Sequence, residues 1–200
     1  PNGKFVKSDI MGLFNDMAGE DSLSSSYFSM VSSMSSSMSM LKVWEELIPE
    51  KSGKGINEMV KNQYDLVAGS WPTSKEEVVV VLDKNNELPD LVLYTLGLTD
   101  GEALSDAFYA ALSGKEIEIK TSRWTYEDVL GITFRLITAA DVYQYDEATG
   151  LYVDISENEA LMNALLNKGL QLRVSGIVKP NPDATATSLS GYICYTNELT

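Results

Sequence analysis

The chain has 200 residues, no histidine, and 15 Lys and Arg against 29 Asp and Glu, which gives a formal net charge of −14. This length is typical of one large domain or two small subdomains. The charge argues against binding to nucleic acid, which needs clustered Lys and Arg, and against adhesion to anionic lipid. The absence of histidine and the single cysteine, Cys194, remove the commonest acid–base side chain, an internal disulfide and a cysteine-based metal cluster.

No membrane span and no signal peptide are predicted in these 200 residues. The longest purely apolar run covers only residues 78–82, whereas a helix that crosses a bilayer needs about 20 such residues. Pro1 is not a natural initiator, so we expect the chain to be a fragment of a longer protein with any membrane anchors outside it.

The first quarter of the chain begins with a predicted strand and a helical turn or two over residues 4–19. Residues 21–41 are dominated by Ser and Met, which is typical either of a flexible linker or of an amphipathic helix. We prefer the helix, because six apolar side chains recur on one face: Tyr27, Met30, Val31, Met34, Met38 and Leu41. An apolar segment continues over residues 43–48 until Pro49 ends it.

The middle of the chain alternates between predicted helices and one apolar strand. Asn57 is a capping residue for a helix over residues 57–66, which the segment 68–72 breaks. Residues 76–83 contain four consecutive Val and predict a strand that is buried on both faces. A turn at 84–87 leads to a helix from Pro89 to Gly97, and another helix is predicted over residues 102–112.

The last 85 residues or so are predicted to be rich in strands. Alternating patterns indicate strands at 116–120 and 132–137, and residues 142–154 predict a hairpin whose turn carries Gly150. Ser156 and Glu159 form a capping-box pattern before a helix over residues 160–167, which Gly169 closes. A strand over residues 170–178 is stopped by Pro180, and a short strand follows at 191–195.

The chemically active residue types form no persuasive catalytic, cofactor or metal site. Adjacent carboxylates point to different sides of a helix or strand, so they make poor acid–base pairs. The oxygen-rich turns are expected to be solvated rather than to bind calcium; they carry Asp83, Asn85, Glu87 and Asp90, or Asp141, Asp146, Glu147 and Asp154. The Ser–Lys sequences at 74–75 and 113–115 have no supporting motif, and Cys194 is expected to be buried.

The Met-rich stripe is the best candidate for a contact surface. Its candidate residues are Met30, Met34, Met38 and Trp44. One interpretation is a core helix packed on the sheet, and the other is an adaptable apolar surface for a substrate, lipid or partner. The sequence leaves both interpretations open.

Five stretches of the chain together resemble a known family. They are residues 64–72 (YDLVAGSWP), 77–83 (EVVVVLD), 88–98 (LPDLVLYTLGL), 131–136 (GITFRL) and 172–180 (LRVSGIVKP). In this order they resemble the large extracellular domain of MacB/FtsX-type ABC transporter permeases of Gram-positive bacteria. The resemblance covers roughly residues 60–200, and its motifs are structural rather than chemical.

The resemblance implies an α+β fold with two lobes, in which a mixed sheet with packed helices carries a smaller inserted α+β lobe. Residues 1–85 and 170–200 would form the membrane-proximal lobe, and residues 86–169 the inserted distal lobe, with hinges near 84–87 and 168–169. The implied function is non-catalytic: the domain couples motion driven by a separate cytoplasmic ATP-binding subunit to export or extraction of an amphiphilic substrate, or to signalling.

The implied partners are that ATP-binding subunit, a second permease or a homodimer copy, and an amphiphilic peptide, lipoprotein or cell-wall-associated protein. The implied location is the extracellular side of the cell membrane. One alternative is a secreted or lipid-anchored cell-surface binding module. Another is a hydrolase with a carboxylate or Ser–Lys site, which would require a deep cleft where two such groups converge.

Overall fold

The computed structural model describes residues 42–99 and 122–200. The strands are β1 (Trp44–Glu46), β2 (Tyr64–Gly69), β3 (Glu77–Val81), β4 (Thr133–Leu136), β5 (Tyr143–Asp146), β6 (Leu151–Asp154), β7 (Leu170–Pro180) and β8 (Ile193–Tyr195). The helices are α1 (Glu58–Gln63), α2 (Asp90–Thr95), α3 (Tyr126–Leu130) and α4 (Glu159–Lys168). The predictions for 4–19, 21–41, 102–112 and 116–120 lie outside the described residues.

A mixed six-stranded sheet organises the described chain. Its order is β1-β8-β3-β7-β2, and β4 also pairs with β7. β7 is long enough for two partners on one edge, since β4 pairs with residues 170–173 and β2 with residues 176–180. β3 runs parallel to β7 on the other edge, and β1 runs parallel to β8. The predicted α+β class is therefore confirmed.

β3 is buried on both faces, as its four consecutive valines predict. Val78 and Val80 belong to a core cluster on one face of the sheet, while Val79 and Val81 belong to a second cluster on the other. This division follows from the two-residue period of a strand, which sends successive side chains to opposite faces. A strand in the middle of a sheet that is covered on both faces needs apolar residues at every position.

Helices supply the cover on each face. Val60 of α1 packs in the cluster of Val79 and Val81, whereas Leu91 of α2 and Val129 of α3 pack in the cluster of Val78 and Val80. Parts of the predicted membrane-proximal and distal lobes therefore share one core. The division into two lobes at residues 86 and 169 stays a prediction.

Close backbone contact fixes where β2 meets β7. The amide of Ser70 donates to the carbonyl of Ser175 over 2.8 Å, and a Cβ atom at Gly176 would overlap the carbonyl oxygen of Ser70. Gly69 has φ of +71°, a left-handed conformation that glycine adopts without strain. The sequence pattern Gly-Ser at the end of β2 is thus explained by the approach of two backbones.

Three predicted boundaries are wrong, two because β2 pairs with the distant strand β7 and one because of a local cap. The helix that starts at Asn57 ends at Gln63, because residues 64–69 pair with β7 as strand β2. Asn158, rather than Ser156, caps α4, since its Oδ1 atom accepts from the amide of Leu161 over 3.1 Å. Pro180 is the last residue of β7 rather than a residue beyond it, opposite Tyr64.

Candidate functional site

The sequence-predicted contact residues are only partly within the described structure. Met30, Met34 and Met38 lie outside the described residues. Trp44 lies in β1, where it is half-buried and meets Phe134 edge-to-face with ring centroids 5.6 Å apart. Trp44 also packs against the core cluster of Val78 and Val80, so the ring serves packing between β1 and β4.

The other chemical candidates behave as structural groups. Cys194 is buried, and that burial raises the pKa of its thiol far above the usual value, which keeps it protonated. Asp83 accepts hydrogen bonds from the amides of Asn85 (2.8 Å) and Glu87 (2.7 Å), so it closes a turn. In residues 42–99 and 122–200, no group of three or more His, Cys, Asp or Glu side chains is placed to hold a metal ion.

A shallow open groove of about 660 Å³ lies between the C-terminal end of α2 and the start of α3. Its lining includes Leu96, Trp124, Glu127, Asp128 and Ile132. Asp128 is already engaged as a cap, because it accepts from the hydroxyl of Thr125 over 2.7 Å and from its amide over 2.9 Å. The groove offers an exposed tryptophan but no convergent pair of acid–base groups.

The hairpin of β5 and β6, called the arm below, exposes aromatic side chains. Tyr145 stands directly opposite Tyr152, and Tyr143 stands opposite Asp154. Because alternate residues of a strand share a face, Tyr143, Tyr145 and Tyr152 project from the same side of the arm, called the tyrosine face below. Their exposed fractions are 51%, 57% and 72%, so the rings are largely open to solvent.

The two central rings of the tyrosine face are already in contact. The ring centroids of Tyr145 and Tyr152 lie 5.4 Å apart at an interplanar angle of 60°. Such tilted pairs stabilise a cross-strand neighbourhood by about 0.5–1.5 kcal/mol beyond simple burial. The opposite side of the arm is also open, since Leu151 and Val153 are 65% and 47% exposed.

Local hydrogen bonds order the arm in the absence of a buried face. At its tip, Asp146 accepts from the amide of Ala148 over 3.0 Å and from the hydroxyl of Thr149 over 2.7 Å. Gly150 has φ of +70°, which allows the four-residue loop to close. The hydroxyl and amide bonds hold the pKa of Asp146 below its usual value, so the cap is ionised at neutral pH.

The base of the arm is capped in the same way. Asp141 accepts from the hydroxyl of Thr138 over 2.7 Å and from its amide over 2.8 Å, and these bonds lower the pKa of Asp141. The amide of Ile155 donates to the carbonyl of Val142 over 2.9 Å, and the Ile155 side chain is buried. The arm is therefore an ordered projection with its apolar anchor at the base and its tyrosines exposed to solvent.

Comparisons of the chain with protein-family models, with curated proteins and with solved structures find no match. Across the described ranges, no helix has the length and hydropathy that crossing a bilayer requires.

Sequence reasoning found the hairpin but not the tyrosine face. The signal lay in residues 143–146 and 151–154, where aromatic residues alternate with polar or apolar ones and neither side of the pair is consistently apolar. A strand pair with no clearly apolar side has no face for the core, which predicts exposure on both sides. The exposed tyrosines of such a pair are then candidates for recognition.

Proposed function

We propose that the chain is a non-catalytic extracellular domain of an ABC transporter permease of the MacB/FtsX type. In this role it couples membrane motion, driven by a separate ATPase, to an amphiphilic substrate or to a partner outside the cell. The observation that carries the binding part of this proposal is the exposed tyrosine face on an ordered arm. The resemblance of residues 60–200 to that family supports the transporter part.

Hydrogen bonds join the segments that contain the first and last described strands. β1 lies beside β8 and runs parallel to it. The carboxylate of Glu45 accepts from the amides of Ser190 (2.7 Å) and Gly191 (2.6 Å). Thr200 donates from its hydroxyl to Glu46 over 2.9 Å. Because the two strands are parallel, the chain enters the pair beside Ile193 and leaves it beside Glu46, and a displacement of either segment would pass to the other through these bonds.

The central sheet supplies the stiffness that such coupling requires. β3 and β7 bury apolar side chains on both faces, and packed interiors transmit rigid-body shifts rather than absorb them. The arm joins this body at two points, through β4 on one side and through α4 and β7 on the other. There the guanidinium of Arg135 donates to the carbonyl of Gly169 over 3.1 Å and holds the two attachments together.

The proposed domain has the two lobes that the resemblance implies. The membrane-proximal lobe, residues 1–85 and 170–200, would contain β1, β2, β3, β7 and β8. The distal lobe, residues 86–169, would present the arm to the partner. Because α2 and α3 share the core of β3 and β7, motion would pass between the lobes through packed side chains as well as through the hinges.

A cysteine-accessibility experiment on the protein encoded by the complete gene tests the proposed location. Cys194 is buried and serves as a silent background, whereas Tyr152 is 72% exposed at the arm. We expect a membrane-impermeant maleimide to label Tyr152→Cys in intact cells more strongly than it labels the unmutated protein. Labelling of Tyr152→Cys only after the cells are permeabilised would overturn the proposal.

Co-purification separates a permease from the alternative cell-surface module. The complete protein, extracted in mild detergent, is expected to bring with it a subunit that hydrolyses ATP. A protein that is labelled from outside but elutes without ATPase activity would be a surface binding module instead.

A further inference from the structure

We infer that the tyrosine face is the docking surface for a basic segment of a partner polypeptide, whose arginine and lysine side chains lie against the rings of Tyr143, Tyr145 and Tyr152. This inference rests on the proposed function and names the chemistry of the partner that the arm would meet.

The spacing of the rings suits a row of cationic side chains. Tyr143 and Tyr145 are two residues apart on one strand, which separates them by roughly 7 Å along the arm. Tyr145 and Tyr152 lie side by side across the strands, with centroids 5.4 Å apart. An ammonium or guanidinium group within about 6 Å of a tyrosine ring is attracted by the negative face of the ring. The planar guanidinium also stacks on such rings, so arginine is favoured over lysine.

The charge around the arm selects for a basic partner. Between Arg135 and Lys168 the sequence contains no Lys or Arg. The same stretch contains six carboxylates: Asp141, Asp146, Glu147, Asp154, Glu157 and Glu159. The shared sign of Asp141, Asp146, Glu147, Glu157 and Glu159 would attract a cationic segment over a distance of about 10 Å at moderate ionic strength.

The same charge disfavours the other occupants of an exposed aromatic face. A second copy of this chain carries a net charge of −14 and would be repelled. An anionic bilayer and nucleic acid are disfavoured for the same reason. An uncharged apolar partner would not be attracted by the carboxylates. A basic segment would interact both with the rings and with the negative charge of the arm, so it is the better match.

Titration calorimetry with defined peptides tests the inference on the full 200-residue chain. We expect nona-arginine to bind at low salt, nona-lysine to bind more weakly, and nona-glutamate not to bind. The double variant Tyr145→Val, Tyr152→Val removes the rings while keeping residues that favour strands. We expect it to weaken nona-arginine binding about tenfold, the size of two exposed cation–ring contacts.

Two matched variants show whether the rings themselves are responsible. Tyr145→Phe with Tyr152→Phe keeps both rings, and we expect affinity within about twofold of the original chain. Tyr126 lies outside the arm and is 39% exposed, so Tyr126→Ala should leave nona-arginine binding unchanged. Protection of the Gly150 and Ile155 amides from exchange with solvent, equal to that in the original chain, would show that the arm of the valine variant is still folded.

The results that would overturn the inference are distinct. One is equal binding of nona-glutamate and nona-arginine. Another concerns two double variants. If the valine variant binds nona-arginine as well as the original chain does, while Glu147→Gln with Glu157→Gln binds it poorly, the peptide is attracted by charge alone and the rings play no part. Loss of binding in the phenylalanine variant would assign the contact to the hydroxyl groups. If peptide binding fails but Tyr152→Cys is labelled from outside the cell, the inference falls and the proposed location stands.

Discussion

The central strands and the arm are both β-structure, but different forces order them. All five residues of β3 are buried, whereas seven of the eight residues of β5 and β6 are exposed. Burial of apolar surface stabilises the first region, at about 25 cal/mol for each Å² removed from water. The second is ordered by side-chain caps such as Asp141 and Asp146 and by one ring pair. An isolated hairpin is marginal in water, so these caps matter.

The difference determines where a partner can act. A surface that contributes to the core cannot exchange its contacts for those of a ligand without loss of stability. The arm makes few such contributions, and its tyrosines can therefore form new contacts at little cost to the fold. Its attachment through β4 and β7 still couples it to the buried sheet.

The largest expected difference between the two regions comes from truncating one apolar side chain in each. Ile177 of β7 is fully buried, and Ile177→Ala should destabilise the protein by about 2–5 kcal/mol through lost burial and the cavity left behind. Val153→Ala in the arm should cost less than about 0.5 kcal/mol, as exposed substitutions usually do. Guanidinium-induced unfolding followed by circular dichroism measures both.

Equal destabilisation by Ile177→Ala and Val153→Ala would contradict the distinction between the two regions. Both substitutions delete only hydrocarbon from a β-branched residue, three carbon atoms in Ile177→Ala and two in Val153→Ala, so a several-fold difference in cost reports burial rather than the size of the deletion.

A smaller effect concerns Glu77, the buried carboxylate of β3. Its Oε2 atom accepts from the amide of Thr73 over 2.7 Å and from the hydroxyl over 3.0 Å, and its other oxygen is paired with Arg173. The Thr73 amide, opposed by burial and helped by the hydroxyl and Arg173, lowers the pKa of Glu77. Replacing it by Gln should cost about 1–3 kcal/mol at neutral pH.

The lowered pKa of Glu77 sets the direction of the pH dependence. A carboxyl that titrates lower when folded stabilises the protein fully above its unfolded pKa of about 4.3. That stabilisation is lost as the pH falls through the folded pKa. Urea unfolding between about pH 7 and pH 3 should therefore show a fall in stability below about pH 4.5 that is shallower in Glu77→Gln. If the free energy of unfolding depends on pH identically in the two proteins, Glu77 does not contribute to the loss of stability in acid.

The sequence predicted those parts of the fold that depend on local patterns. Four valines in a row predict burial on both faces, and Pro89 and Gly97 bracket α2 as expected. The end of the helix after Asn57 was not predictable, because β2 forms only where β7 supplies a partner more than 100 residues away. Long-range pairing of this kind overrides local propensity.

In the candidate site, too, local features were predictable from the sequence and contacts between distant residues were not. The hairpin register that places Tyr145 opposite Tyr152 follows from the loop at residues 147–150, which the sequence indicates. The role of Trp44 required the position of Phe134, which no local pattern provides. A strand pair without a consistently apolar side predicts exposure, but only the three-dimensional arrangement shows that the other described elements leave the tyrosine face uncovered.

The smallest expected effect concerns Asp146, which caps the tip of the arm. Asp146→Ala removes the acceptor for the Ala148 amide and the Thr149 hydroxyl, while Asp146→Asn keeps one oxygen in place. The Gly150 amide donates to the backbone carbonyl of Asp146 over 2.8 Å, so its exchange with solvent reports whether the tip is closed. We expect Asp146→Ala to raise that exchange rate about fivefold, through local opening, and Asp146→Asn to raise it less.

The midpoint of global unfolding should not move in either variant, because the tip buries nothing that the core requires. A shift of that midpoint as large as that of Ile177→Ala would mean that the arm and the sheet unfold as one unit, and the contrast between them would be lost.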